Sequence, residues 1–183
     1  DLDLLVGRQN GDTWAFENIS TDGLFQKWQR KSDWDLYDIG ASSAPSLVDI
    51  DNDSDLDLAI GIDDGDFNGN NFLFINVGSP SSPKWQRWSL ILDDLLRDRL
   101  TPLFIDIDKD SDSDLLVGGG SDTIAGFENI GSNSLPLWKQ NDAFKSGLSG
   151  FGWYPKPAAG DLDNDKDLDL LVGRQNGDTW AFE

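Results

Sequence analysis

Cysteine, histidine and methionine are all absent from this chain. Without cysteine there is no disulfide framework and no soft-metal site. Without histidine the chain lacks the commonest general base and the commonest transition-metal ligand. Basic residues are also scarce, 14 against 34 acidic, and a net charge of −20 makes nucleic acid and anionic membranes poor partners. No apolar run reaches the length of a membrane span, so no membrane insertion is expected. No signal peptide or initiator Met is visible, and the window says nothing direct about targeting. What the chain does have is tryptophan and aspartate. Hydrophobic residues make up 38% and aromatics 11%, with eight Trp, which fits 183 residues that bury a respectable core.

The aspartates are patterned. Asp49, Asp51, Asp53, Asp55 and Asp57 stand on alternate residues, and the pattern returns at Asp106, Asp108, Asp110, Asp112 and Asp114. It returns again at Asp161, Asp163, Asp165, Asp167 and Asp169. With Asp1 and Asp3, these loops hold 17 of the 34 acidic residues. Such carboxylates repel one another in an extended strand unless a hard divalent cation neutralises them. Calcium, with its 6–8 oxygen ligands, is the natural candidate. Three bound Ca²⁺ would bring the charge from −20 to −14. A solvated acidic tail does not interleave Asp with Leu and Ile, or run into an apolar strand three times over. The helix–loop–helix calcium motif is excluded, because it needs Gly at position 6 and Glu at position 12. Position 6 is Ser54, Ser111 or Lys166, and position 12 is Ile60, Val117 or Val172.

A D-x-D-x-D-x-x-x-D-L loop, then Leu-Ala-Ile-Gly or Leu-Leu-Val-Gly, then an Asn-x-Gly element before a Trp, resembles the FG-GAP or VCBS-type repeat of integrin alpha propellers. The resemblance covers essentially the whole chain. It implies all-β, propeller-type blades and calcium bound by side chains of Asp49, Asp51, Asp53 and Asp57, with Asp55 giving its carbonyl. It likewise implies Asp106, Asp108, Asp110 and Asp114 with Asp112, and Asp161, Asp163, Asp165 and Asp169 with Asp167. The missing Gly at position 6 departs from the pattern and is expected to strain the curl of the loop.

The loops begin 57 and 55 residues apart, a period that signals a propeller or solenoid. The chain divides into a blade over 1–44 that starts inside a loop, blades over 45–101 and 102–156, and a half blade over 157–183. A full repeat has four short strands in about 55 residues. Residues 1–17 are identical to residues 167–183. Two readings fit this identity: a window on a longer array repeating every 166 residues, or ends duplicated so as to close or exchange a blade. Apolar strands follow the loops at 4–6, 56–60, 115–117 and 170–172. Return strands are expected at 13–16, 72–75, 124–127 and 179–182. The Asn10-Gly11 hairpin suits a two-residue turn with positive φ at both positions. Residues 62–71, with Asp63, Asp64, Asp66, Asn68 and Asn70, read as a polar loop tip. Pro45, Pro102 and Pro157 are expected just ahead of inner strands.

Trp28, Trp85 and Trp138 recur in register and are expected to pack. Trp34, Trp88 and Trp153 lie off register and form a candidate ligand surface. Asn18 fits an N-glycosylation pattern, and Asn52 fits one that a loop-bound ion would obstruct.

Three functions compete. The first is an extracellular or cell-surface, calcium-stabilised structural or adhesive module, joining copies of itself into a ring or filament through unpaired end strands. The second is a carbohydrate-binding propeller whose partners are glycans. An enzyme is the third and is not expected, since no unique carboxylate pair stands outside the repeats.

Overall fold

The computed structural model describes residues 3–20, 27–36, 39–62, 71–88, 100–132 and 134–183, with Asn71 by its backbone alone. Its described strands form four antiparallel sheets, each a meander in chain order. The first holds β1 (Leu4–Gly7), β2 (Thr13–Asn18) and β3 (Trp28–Arg30). The second holds β4 (Ala44–Val48), β5 (Asp57–Gly61), β6 (Asn71–Asn76) and β7 (Trp85–Trp88). The third holds β8 (Thr101–Ile105), β9 (Asp114–Gly118), β10 (Ala125–Asn129) and β11 (Trp138–Gln140). The fourth holds β12 (Lys156–Gly160), β13 (Asp169–Gly173) and β14 (Thr179–Phe182). The only described helix is a 3₁₀ turn, Asp142–Lys145, capped by the Asn141 side chain on the Ala143 N–H. This all-β set of blade-like sheets is the architecture the spacing predicts.

The acidic loops lie inside the sheets, between the first and second strands. Pro45, Pro102 and Pro157 therefore stand within β4, β8 and β12 rather than ahead of an inner strand. They face Ile60, Val117 and Val172 across the ladder. These are edge strands, where a missing amide donor breaks no second ladder.

Among the described residues, three apolar cores sit between consecutive sheets. Leu58, Ile60 and Phe74 of the second sheet meet Leu5, Leu36 and Ile39 from the first repeat. Leu115, Val117, Phe127 and Trp138 of the third meet Ala59 and Leu73 of the second. Val172, Leu170 and Phe182 of the fourth meet Leu116, Ile124 and Phe151. Alternation along a strand thus sends one set of side chains to the preceding sheet and the other to the following one. Both faces are covered, which explains why β5 and β9 are buried at every residue and read as unbroken apolar runs.

Glycine at the end of each second strand lets the next sheet approach. A Cβ on Gly7 would stand 1.9 Å from the Ser43 carbonyl oxygen, on Gly61 the same distance from that of Leu100, and on Gly118 from that of Pro155. The hairpin turn differs from expectation: Gly11 has φ +90° and its N–H returns to the Arg8 carbonyl at 3.0 Å, while Asn10 keeps negative φ. One left-handed residue after a turn closes a three-residue hairpin, so Asn10 need not strain.

Candidate metal centres

Each loop is built by its own aspartates. Asp57 is 2% exposed; its Oδ2 accepts the Ile50 N–H at 2.9 Å and its Oδ1 the Asn76 N–H at 2.7 Å. Asp114 does the same for Ile107 at 3.0 Å and Asn129 at 2.8 Å. Asp169 takes the Leu162 N–H at 2.8 Å, and Asp3 takes that of Asn18 at 2.9 Å. The ninth residue therefore ties the loop's start to the end of the third strand. Loop position 1 gathers the amides behind it: Asp49 accepts from Asp53 and Ser54, Asp106 from Asp110 and Ser111, and Asp161 from Asn164 and Lys166.

The curl requires left-handed backbone at positions 4 and 6. Asn52 and Ser54 have φ of 60° and 74°, Lys109 and Ser111 of 65° and 77°, Asn164 and Lys166 of 66° and 79°. None is glycine, so the strain expected at position 6 is present at Ser54, Ser111 and Lys166, at about 1 kcal/mol or more each, and Lys109 adds it at position 4, where Asn52 and Asn164 tolerate the conformation.

Ligand-capable oxygens of Asp49, Asp51 and Asp53 lie within 4.8 Å of one another. So do those of Asp106, Asp108 and Asp114, and of Asp161, Asp163 and Asp169. Asp57, Asp110 and Asp165 are not in those triads, and neither are Asp55, Asp112 and Asp167. The Asp55 side chain is nonetheless turned inward, 8% exposed, while its N–H donates to Asp53. Asp51 Oδ1, Asp55 Oδ1 and Asp112 Oδ1 are buried with no hydrogen-bond partner. A buried acceptor without a donor costs about 1–3 kcal/mol, and a hard cation is the partner a cluster of carboxylate oxygens fits. Burial pushes the Asp57 carboxyl up to about 6. Burial, then the charges of Asp110, Asp114, Asp108 and Asp106, pushes Asp112 up to about 6. Asp51 and Asp55 are raised by the same two causes.

Residues 106–172 match the family of FG-GAP-like repeats. That stretch of the chain is an FG-GAP-like repeat. The matched segment runs from the first Asp of the second loop, through β9, β10, β11 and β12, into β13. The loop at 49–57, outside the matched residues, repeats the same hydrogen bonds. Among curated proteins, none matches the chain. No helix among the described residues is long and apolar enough to cross a membrane.

Other sequence-derived candidates fare differently. Asn18 is 8% exposed and its Oδ1 holds the Ser20 N–H at 3.0 Å, so it is a turn lock rather than an exposed glycan acceptor. Asn76 and Asn129 play the same part, each holding two amides. Trp34, 8% exposed, is buried rather than open to a ligand, and its carbonyl receives the Trp85 indole N–H at 3.0 Å. Trp88 packs against the core between the second and third sheets, which leaves Trp153 exposed. Trp138 is buried as expected, but Trp28 is 41% exposed, with none of the described sheets over that face. The candidate loop at 63–70 lies outside the described residues. The glycine contacts were missed in the sequence; the Gly closing each Leu-x-x-Gly run was the available signal.

Proposed function

We propose that the chain is an extracellular, non-catalytic module with a structural or adhesive role, in which each acidic loop holds one Ca²⁺ and the end sheets join copies of the chain. The observation that carries the ion is the set of partnerless, buried oxygens on Asp51, Asp55 and Asp112. Carboxylates from loop positions 1 and 3, with position 5 in the first loop and position 9 in the other two, would hold it. The bound ion neutralises the repulsion and offsets the strain at positions 4 and 6, fixing where each second strand begins. Open loops of this kind suit the millimolar calcium found outside cells. Exposed Leu4, Val6 and Trp28 at one end support self-association. A melting curve in millimolar Ca²⁺ should lie well above one in chelator. Coincident curves would remove the structural role of the ion.

A further inference from the structure

The linkers that lead into β4 and β12 follow one backbone path. Gly40, Ala41, Ser42 and Ser43 correspond in order to Gly152, Trp153, Tyr154 and Pro155, just ahead of the paired Ala44–Gly61 and Lys156–Gly173. Gly40 and Gly152 both have positive φ, and so do Ser42 and Tyr154, at 55° and 62°. The N–H of each of the latter donates at 3.0 Å to the hairpin of the sheet before, Ser42 to the Gln9 carbonyl and Tyr154 to that of Gly119. Ala41 and Ser42 therefore show that the path needs no aromatic side chain. Asp98 and Arg99 hold the same places in the sequence of the second repeat. Trp153 and Tyr154 are an addition that the fold does not require.

The residues ahead of the pair hold it still. Phe151 is 1% exposed, plugged among Leu116, Ile124 and Val172, and its N–H donates to the Asp122 carbonyl at 3.1 Å. The Arg174 guanidinium grips the carbonyls of Gly150 and Phe151 at 3.3 and 2.7 Å. Yet the Trp153 indole is 60% exposed, with the Tyr154 ring 6.2 Å away. Neither end of the sequence accounts for that exposure. Trp153 joins the third sheet to the fourth, and Ala41, which joins the first to the second, is exposed as well.

We propose that Trp153 is the stacking platform of a carbohydrate-binding site for a neutral hexopyranose chain. A pyranose ring presents a face of C–H bonds that packs on an indole, and an edge of hydroxyls that needs polar partners. Those partners stand beside the platform: Tyr154 and Lys156 share a cleft with Thr101 and Ser42, at the starts of β12, β8 and β4. Nucleic acid also stacks on aromatic side chains, but a net charge of −20 repels it. The core of a protein interface is apolar, whereas exposed Gly150, Gly152 and Lys156 flank this indole. A platform held rigid before the ligand arrives keeps the ordering cost of binding low. The site lies at the end of β12 away from the acidic loop, and it needs neither the ion nor self-association.

Native affinity electrophoresis of the full chain in millimolar Ca²⁺ tests the site, through gels carrying hydroxyethylcellulose, laminarin, galactomannan or dextran. At least one polymer should retard the unsubstituted chain. Trp153→Ala should raise the apparent Kd about tenfold or more, and Trp153→Phe, which keeps a flat ring, by much less. Neither should move the melting temperature by more than about 2 °C, because the indole covers little of the core. Retardation by none of the four polymers, or retardation that Trp153→Ala leaves unchanged, overturns the site. So does a Trp153→Ala chain that melts well below the unsubstituted one, because the indole is then a packing residue. If sedimentation shows self-association that Trp153→Ala abolishes, the indole is an interface between copies and the site falls, while self-association stands.

Discussion

The segment DLLVGRQNGDTWAFE occurs at 3–17 and at 169–183, and the two copies differ only in what surrounds them. The first has its following face covered and its preceding face bare. Gly11 abuts the Gly40 carbonyl, while Leu4 and Val6 reach solvent. The second is the reverse: Val172 is buried against Leu116 and Ile124, while Thr179, Trp180 and Ala181 are exposed. The hairpin folds the same way in both, with Arg8 and Arg174 making the same turn bonds to Asp12 and Asp178 at 2.9 Å. Backbone conformation is thus local to the sequence, and burial is supplied by neighbouring repeats. Stability in this fold accumulates between sheets, as in other repeat proteins.

Removing calcium should separate the two copies most. The second is fed by the loop at 161–169, whose Asp169 anchors β13 to Leu162. At free calcium near 100 times Kd, one site contributes about 2.7 kcal/mol. Chelation should therefore speed amide exchange in β13 about a hundredfold and leave β1 much less affected.

Substituting the paired glycines comes next. Gly7→Ala forces a Cβ toward the Ser43 carbonyl at 1.9 Å, whereas the nearest atom to one on Gly173 is 3.8 Å away. Gly7→Ala should cost about 1–3 kcal/mol. Gly173→Ala, in the single-copy state, should be neutral or stabilise by up to about 1 kcal/mol. Thermal melts resolve the pair, at about 2–4 °C per kcal/mol for a chain of this size.

A smaller contrast is expected from truncating the paired valines. Val172→Ala should destabilise by about 2 kcal/mol and Val6→Ala by less than about 1, in denaturant titrations of the single-copy state. If the two cost the same, the bare face of the first copy is covered in solution.

Protonation should give the smallest effect, with opposite signs in the two states of the ion. Asp57 and Asp112 titrate near 6 in the ion-free fold, above the 3.8 of a free aspartate. The ion-free fold therefore binds protons more readily than the unfolded chain. Its stability gain is complete below about 3.8 and is lost as pH rises through about 6. In chelator, melting temperature should climb modestly from pH 7 to pH 5. In calcium it should fall over the same range, because protons compete with the ion.

The acidic loops, the apolar second strands and the repeat length were legible because each writes a fixed pattern into the chain. The first strands were harder to see. Ala44–Val48 and Lys156–Gly160 carry proline and few large apolar residues, because one edge of each is free of ladder bonds. Covering depends on neighbours, which is why Trp28 and Trp138 share a register position but differ from 41% to 8% exposed. Trp34 was misjudged for a related reason: off-register placement does not reveal that a later indole, Trp85, reaches back to its carbonyl. The left-handed backbone at loop position 6 was anticipated from its missing glycine, whereas position 4, held by Asn52, Lys109 and Asn164, was not picked out.

Equilibrium dialysis of chelator-stripped protein against millimolar calcium tests the central claim most directly. Three ions should be retained per chain, falling to two when Asp106, Asp108 and Asp114 are all replaced by Asn. Retention of none, by a chain that keeps its native circular dichroism and melting temperature, would contradict the account.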